Sequence, residues 1–424
     1  MLGDVVILSY LCNPKKTKHK IIMKKALLAL AFAGLSLGLM AQEAKKEEPK
    51  NEGFQFTTVK EIPITSVKDQ HRSSTCWSFS SMGFLEAEIL REKGITVDLS
   101  EMYLVSWAMR ERADLFVRLH GNATFAPGGA FADAMDLLRH HGLVPQSAMP
   151  GIKYAQSAGD TLPVHKELDA VSRAFLDAIV KGNMTRLTPA WKVAFKGIYD
   201  SYLGECPEEF EYEGKKYTPM SFRDYLGVNA DDYISLTSFT HHPFYEPFAI
   251  EIEDNWRHSM SYNLPLDEFM EVIHNAIDNG YTVAWGADIS EAGFSRQGVA
   301  VVPDDLKSAQ EMGSDMAHWL GMSNVEKKMK YTERPLPEME ITQEMRQQGF
   351  ENWETTDDHG MLLYGYAKDQ NGKQYFIVKN SWGNAGKYNG IWYASDAFVQ
   401  YKTINIVVNK KAVPKAILKK LGIK

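Results

Sequence analysis

The sequence has little cysteine, with three in 424 residues, at positions 12, 76 and 206. That is too few for a disulfide scaffold or a four-thiolate zinc site, so a cysteine that matters here matters as a thiol. An excess of positive charge is missing too. Lys and Arg number 47 against 54 Asp and Glu, a formal net charge of -7. That balance offers no electrostatic footprint for nucleic acid or an anionic lipid surface. The apolar run Ala26–Met40 has 15 residues, short of the roughly 20 that cross a bilayer. There is no internal repeat and no low-complexity stretch. What is present is ordinary globular composition, 44% hydrophobic and 24% charged, enough to bury a large core. At roughly 150 residues per domain the length suggests about three units, although one elaborated domain reaches this size.

The apolar run follows Met23-Lys24-Lys25 and ends at Ala41 before Gln42, a secretory signal pattern. Residues 1–41 therefore read as an upstream segment plus signal peptide, with Met23 as the start. Residues 42–57, charged and without periodicity, read as a flexible tether, and 58–424 as the working domain. Removing 1–41 leaves 41 basic against 53 acidic residues, a net charge of -12, and only Cys76 and Cys206 as thiols. The expected location is periplasmic or secreted, with no membrane span in the mature chain.

Helices come first and strands last. Apolar residues at helical spacing run through 76–92, a second helix starts near Ser100, and a third, AFADAMDLLRHH, closes at Gly142. Residues 150–280 read as mostly helical. The last third alternates β-forming residues with Gly and Asn turns in TVAWGADI, MLLYGYAKD, QYFIVKNSW and TINIVVN. The order is that of an α+β fold.

Chemistry concentrates at two places. In QHRSSTCWSFS, Cys76 stands at a predicted helix start, where unpaired N–H groups and the helix dipole favour a thiolate. In Asp358-His359-Gly360, a histidine leads into one strand, and Asn380-Ser381-Trp382-Gly383 follows the next, which places His359 and Asn380 at neighbouring strand ends. An imidazole can take the thiol proton and return it to a leaving amine, and an amide can hold the ring in one orientation. Together they make the cysteine form of a catalytic triad.

These segments, with LSEMYLV and a Gly-Gly loop between them and in this chain order, resemble the papain-like cysteine peptidases. The spacing from Cys76 to His359 is far longer than the roughly 130–150 residues of the papain pattern. It resembles the bleomycin hydrolase, or aminopeptidase C, branch, as do residues 204–227 and 238–263. The resemblance implies a papain-like two-lobed fold, a helical half and a β half, with a mainly helical insertion at about 150–265. It implies a peptidase that forms a thioester at Cys76, with His359 as base and acid and Asn380 orienting it. Trp382 would shield that pair, and the Gln70 amide would join the Cys76 N–H in an oxyanion hole. Gly128 and Gly129 would pair by backbone with substrate. No cofactor and no metal is implied. Peptides are the expected partners, and the branch forms hexameric rings. Its C-terminal arm makes it an aminopeptidase. Here the tail after Pro414 is short and basic, with Lys415, Lys419, Lys420 and Lys424, which keeps an endopeptidase open. A non-catalytic peptide-binding homologue and a transferase using the same thioester are the other readings.

Ser74 stands where the branch has glycine, so the loop before Cys76 is expected to differ in shape. His241, His242 and His258 fit no metal-ligand spacing and read as surface residues. His140 and His141 suit a helix C-terminus. Cys206, among the carboxylates of GECPEEF, is expected to have a raised pKa and be inert. Trp77 reads as helix packing, and Glu205–Glu213 as a solvated acidic loop.

Overall fold

The computed structural model describes residues 53–152 and 161–423, all within one compact unit. The leader, most of the tether and Cys12 lie outside these residues. Among the described residues no helix is long and apolar enough to cross a membrane. The tether ends sooner than expected: Phe54 is 3% exposed, and the Phe56 ring stacks on Tyr393 at 3.8 Å. Two aromatic residues in GFQF bury too much apolar surface for a solvated linker.

The chain enters through β1 (Thr57–Glu61), then builds a helical lobe from α1 (Cys76–Lys93), α2 (Glu101–Arg118) and α3 (Phe131–His141). The ends of these helices follow from the sequence. Gly94 closes α1 at φ 68°, Ser100 caps α2 by accepting from Tyr103 N, and Gly142 ends α3. The insertion adds α4 (Thr161–Lys181), α5 (Ala190–Leu203), the hairpin β2 (Phe210–Tyr212) and β3 (Lys215–Tyr217), and α6 (Pro219–Leu226). Leu168, Leu176, Phe195, Tyr199 and Phe222 join the core under α1–α3.

The last part of the insertion, from Tyr233, is not helical. Strands β4 (Tyr233–Thr237), β5 (Pro247–Ala249) and β6 (Met260–Asn263) extend the main sheet instead. In YISLT, Ile234 and Leu236 are buried while Tyr233 and Ser235 are not, a period of two that suits a sheet. The chain continues as α7 (Leu266–Asp278), β7 (Val283–Ala287), β8 (Phe294–Ser295) and β9 (Val299–Ala300). Four short helices follow, α8 (Asp305–Glu311), α9 (Met316–Gly321), α10 (Asn324–Lys330) and α11 (Gln343–Glu351). The last elements are β10 (His359–Lys368), β11 (Gln374–Lys379), β12 (Ile391–Ser395), α12 (Asp396–Lys402), β13 (Thr403–Asn409) and α13 (Lys415–Lys420).

The sheet runs β5-β6-β4-β13-β7-β10-β11-β12-β9-β8, with β1 also paired to β10. Its two faces serve different cores. Ala284, Leu362 and Val407 point into the helical lobe, while the alternate residues Val283, Trp285, Met361, Leu363, Ile406 and Val408 pack under α7. The α1 helix lies against β10 and β7. Ile417 and Leu421 of the C-terminal segment are buried on the α7 side, and Lys420 Nζ lies 2.6 Å from Glu268. The two halves and the α+β class match the papain-like expectation.

Candidate active site

Cys76 is the first residue of α1, at the seam between the lobes. Its neighbour across the seam is the start of β10. A Cβ at Gly360 would fall 2.5 Å from Ser80 Oγ and 3.5 Å from the Cys76 carbonyl oxygen, so the Gly after His359 lets helix and strand touch. The thiol is not simply activated by its helix. Burial pushes it up to about 12, with smaller upward pushes from Asp357 and Asp254, and backbone hydrogen bonds from Gly360 and Trp77 hold it down. The helix end alone does not yield a free thiolate.

His359 pairs with Ala287 of β7 at the head of β10, and Asn380 follows β11 directly. The strands are antiparallel neighbours, so the two side chains meet: His359 Nε2 lies 2.7 Å from Asn380 Oδ1. An amide oxygen only accepts, so Nε2 carries the proton and Nδ1 is the basic nitrogen. Asn380 Oδ1 also accepts from Ser381 N at 2.7 Å, which fixes the amide. Burial lowers the His359 imidazole to about 4, against the raising effect of Asn380. A lone thiolate and a lone imidazolium are therefore both disfavoured. A proton moved from Sγ to a nearby Nδ1 would create two opposite charges whose attraction offsets that penalty. Trp382 covers the histidine, ring centroids 5.0 Å apart, and is braced edge-on by Trp392 at 5.2 Å.

Gln70 reaches the same site from the loop before α1. Its backbone N–H donates to Ser381 O at 2.8 Å, and Ser381 Oγ donates to Gln70 Oε1 at 2.6 Å. With the amide oxygen occupied, Nε2 retains its donors. Ser381 was not anticipated as part of this site, although NSWG contains it. Ser74 takes φ 58°, the left-handed conformation a glycine adopts without strain. The serine bears a strain of about 1–2 kcal/mol.

Gly128 and Gly129 lie beside Trp77, whose Nε1 donates to Pro127 O at 3.0 Å. A Cβ at Gly128 would strike Asp254 Oδ2 at 2.3 Å, and one at Gly129 would come within 3.0 Å of the Trp77 ring. Arg112, 1% exposed, donates through Nη1 to Gly128 O, so that carbonyl is already taken. Arg257 holds the segment carrying Asp254 against α3, through Asp133 at 2.6 Å and Asp136 at 2.9 Å.

Away from this seam, Cys206 is raised as expected, but by burial first rather than by the acidic loop. His241 and His242 come together on Glu251, with Nε2 atoms 3.1 and 2.7 Å from its oxygens, and His258 is not in that group. Gln347 Oε1 accepts from Thr240 N, which leaves its Nε2 to donate to His241 Nδ1 at 3.0 Å. In this arrangement His241 Nε2 carries the proton and donates to Glu251.

Two cavities flank the seam. One of about 830 Å³ lies beyond Trp382, with Arg296, Lys328 and Lys387 in its wall. The other, about 810 Å³, adjoins Asp357 and Asp254.

Residues 117–423 match the Peptidase C1-like family, and residues 51–181 match the papain family of cysteine proteases. Among similar curated proteins, aminopeptidase G of Lactobacillus delbrueckii subsp. lactis is 23% identical over 392 residues, covering 84% of this chain and 83% of its own. Aminopeptidase C of Streptococcus thermophilus is 23% identical over 414 residues, covering 88% and 86%. The crystal structure of PepW from Lactobacillus rhamnosis superposes with a TM-score of 0.61 at 20% identity, covering 86% of this chain and 84% of that one.

Proposed function

The chain belongs to the Peptidase C1-like family of papain-type cysteine peptidases, and we propose that it is an aminopeptidase in which Cys76, His359, Asn380 and Gln70 perform the reaction. The observation that carries the assignment is the 2.7 Å His359–Asn380 pair at the strand ends facing the first residue of α1. Cys76 Sγ attacks the scissile carbonyl while His359 Nδ1 takes the thiol proton. Gln70 Nε2 and the Cys76 N–H donate to the oxyanion. His359 then passes the proton to the departing amine, leaving a thioester. A water deprotonated by His359 attacks it, and the acid and Cys76 thiol are released. Asn380 holds the ring, and Trp382 keeps water from the His359–Asn380 bond. Gly129 makes no backbone hydrogen bond to the described residues, so its N–H and C=O are open to an extended peptide.

Support for aminopeptidase specificity comes from relatives spanning more than four-fifths of the chain that are named aminopeptidases. The test compares one peptide with a free N-terminus and its acetylated twin. We expect kcat/KM for the free form to exceed the other by about tenfold or more, the worth of one charge-assisted hydrogen bond. Equal rates would point to an endopeptidase.

We also propose export, supported by the Met23–Ala41 pattern. Edman sequencing of the protein recovered outside the cytoplasm should begin at Gln42; an intact N-terminus on the active form would contradict it.

A further inference from the structure

An aminopeptidase must hold an ammonium close to its nucleophile. In a substrate with a free N-terminus the α-nitrogen sits on the Cα next to the scissile carbonyl, about 2.5 Å from the carbon under attack. The group that recognises it must therefore share the site with Cys76.

The cavity of about 810 Å³ meets this requirement. Its wall carries five carboxylates, Glu251, Glu253, Asp254, Glu351 and Asp357, and no lysine or arginine. Three of the five are engaged, Glu251 with His241 and His242, Glu351 with Gln347 at 2.9 Å, and Asp254 in an ion pair with Arg112, and Glu253 is exposed to solvent. Asp254 stands 4.0 Å from Arg112 Nη2, an atom buried without a hydrogen-bond partner. Asp357 is different. It makes no hydrogen bond and no ion pair with the described residues, and it is half-buried in the wall of the cavity. A half-buried carboxylate with no partner, facing a cavity beside the nucleophile, can take a cationic ligand at that open side. It lies two residues before His359, and it and Asp254 are the carboxylates whose charge reaches the Cys76 thiol.

We propose that Asp357 and Asp254 bind the free α-ammonium of the peptide substrate and so determine specificity, a proposal that rests on the aminopeptidase reading above. Burial and the charge of Asp254 hold the Asp357 carboxyl up to about 7, and an arriving ammonium supplies the positive charge that lets it ionise. Ile252 and Phe350 in the same wall give the first side chain an apolar surface. The cavity beyond Trp382 has the opposite character. Arg296, Lys328 and Lys387 outnumber the one carboxylate in its wall, Glu333, which disfavours an ammonium and suits the departing peptide with its carboxylate end. The substrate is thus a peptide with a free amine and an apolar first residue.

Either substitution also removes a charge that opposes thiolate formation, which changes turnover of every substrate. The ratio of kcat/KM for a free peptide to that for its acetylated twin cancels this effect. In Asp357→Asn and Asp254→Asn the ratio should fall by about tenfold or more, and Asp357→Glu should recover part of it. A wild-type enzyme with a high ratio, unchanged within twofold in both Asn variants, overturns the proposal and leaves the aminopeptidase reading standing. A wild-type ratio near one removes both. Near-ultraviolet circular dichroism checks folding. Should Asp357→Asn not fold, Asp254→Asn carries the kinetic test. Calorimetric titration of the free peptide into Cys76→Ala and into Cys76→Ala with Asp254→Asn then reads recognition without turnover. Equal affinities would overturn the proposal, and weaker binding in the double variant supports it.

Discussion

In the proposed mechanism Cys76 owes its reactivity to a partner rather than to its helix. Burial pushes the thiol up to about 12, and on this proposal the proton leaves because His359 Nδ1 receives it and the two charges then attract. His359→Ala should accordingly slow alkylation of Cys76 by iodoacetamide at pH 6 by about 100-fold or more, since thiolate content falls tenfold for each unit the pKa rises above ambient pH. A rate within threefold of wild type would show that the helix end suffices. Gln70→Ala should lower kcat by about 10²–10³, as loss of one oxyanion donor does, with KM little changed; a pure KM effect would assign Gln70 to binding instead. Cys76, His359 and Asn380, the proposed catalytic residues, were prominent in sequence because each sits in a short motif whose residue types match one chemistry. Asp357 was not, because a second aspartate before Asp358 reads as a solvated charge until the fold encloses it. Ser381 was hidden for a related reason: its bond to Gln70 spans 311 residues.

Helix α1 and strand β10 meet at Gly360, and this contact positions the nucleophile against the base. Gly360→Ala should destabilise the protein by about 1–3 kcal/mol, the usual cost of overpacking, measured by urea denaturation. Adding Ser80→Ala removes the oxygen that the new methyl would strike and should recover part of the loss; no recovery would place the strain elsewhere. At this scale the sequence was an uneven guide. The helices α1, α2, α3 and α7 followed from periodicity and from their caps, and the C-terminal strands from alternation. Strands β4–β6 give little sequence signal because each is short, five residues or fewer, and the strand that ties them to the main sheet, β13, lies far along the chain. The short helices at 305–351 left a trace in Ser323 and Glu326, a capping box with Ser323 Oγ accepting from Glu326 N. Their apolar pattern was too brief to register as periodicity.

Over the whole molecule, burial raises the pKa of several carboxyls: Glu101, Asp288 and Asp357 up to about 7, Asp133 and Asp169 to about 6, with Lys68 and Arg257 opposing the rise at Glu101 and Asp133. Each binds its proton more tightly folded than unfolded, so its contribution is full below the unfolded value near 4 and is lost as pH rises through the folded one. His165 and His359, lowered to about 4, act oppositely between pH 4 and 6.5, but there are two of them against five. Thermal unfolding should therefore occur at a higher temperature at pH 5 than at pH 7.5; the reverse order would mean that these carboxyls ionise in the fold. The two-lobed α+β plan was readable because helices precede strands along the chain, while the depth of the seam between the lobes depends on side chains far apart in sequence. Everything claimed for the site turns on an acyl group passing through one sulfur. Rapid quenching of the enzyme with an activated peptide ester, followed by peptide mapping in a mass spectrometer, reads this directly. The account predicts a transient acyl adduct on the fragment containing Cys76, absent in Cys76→Ala; an adduct on Cys206, or undiminished turnover in Cys76→Ala, would contradict it.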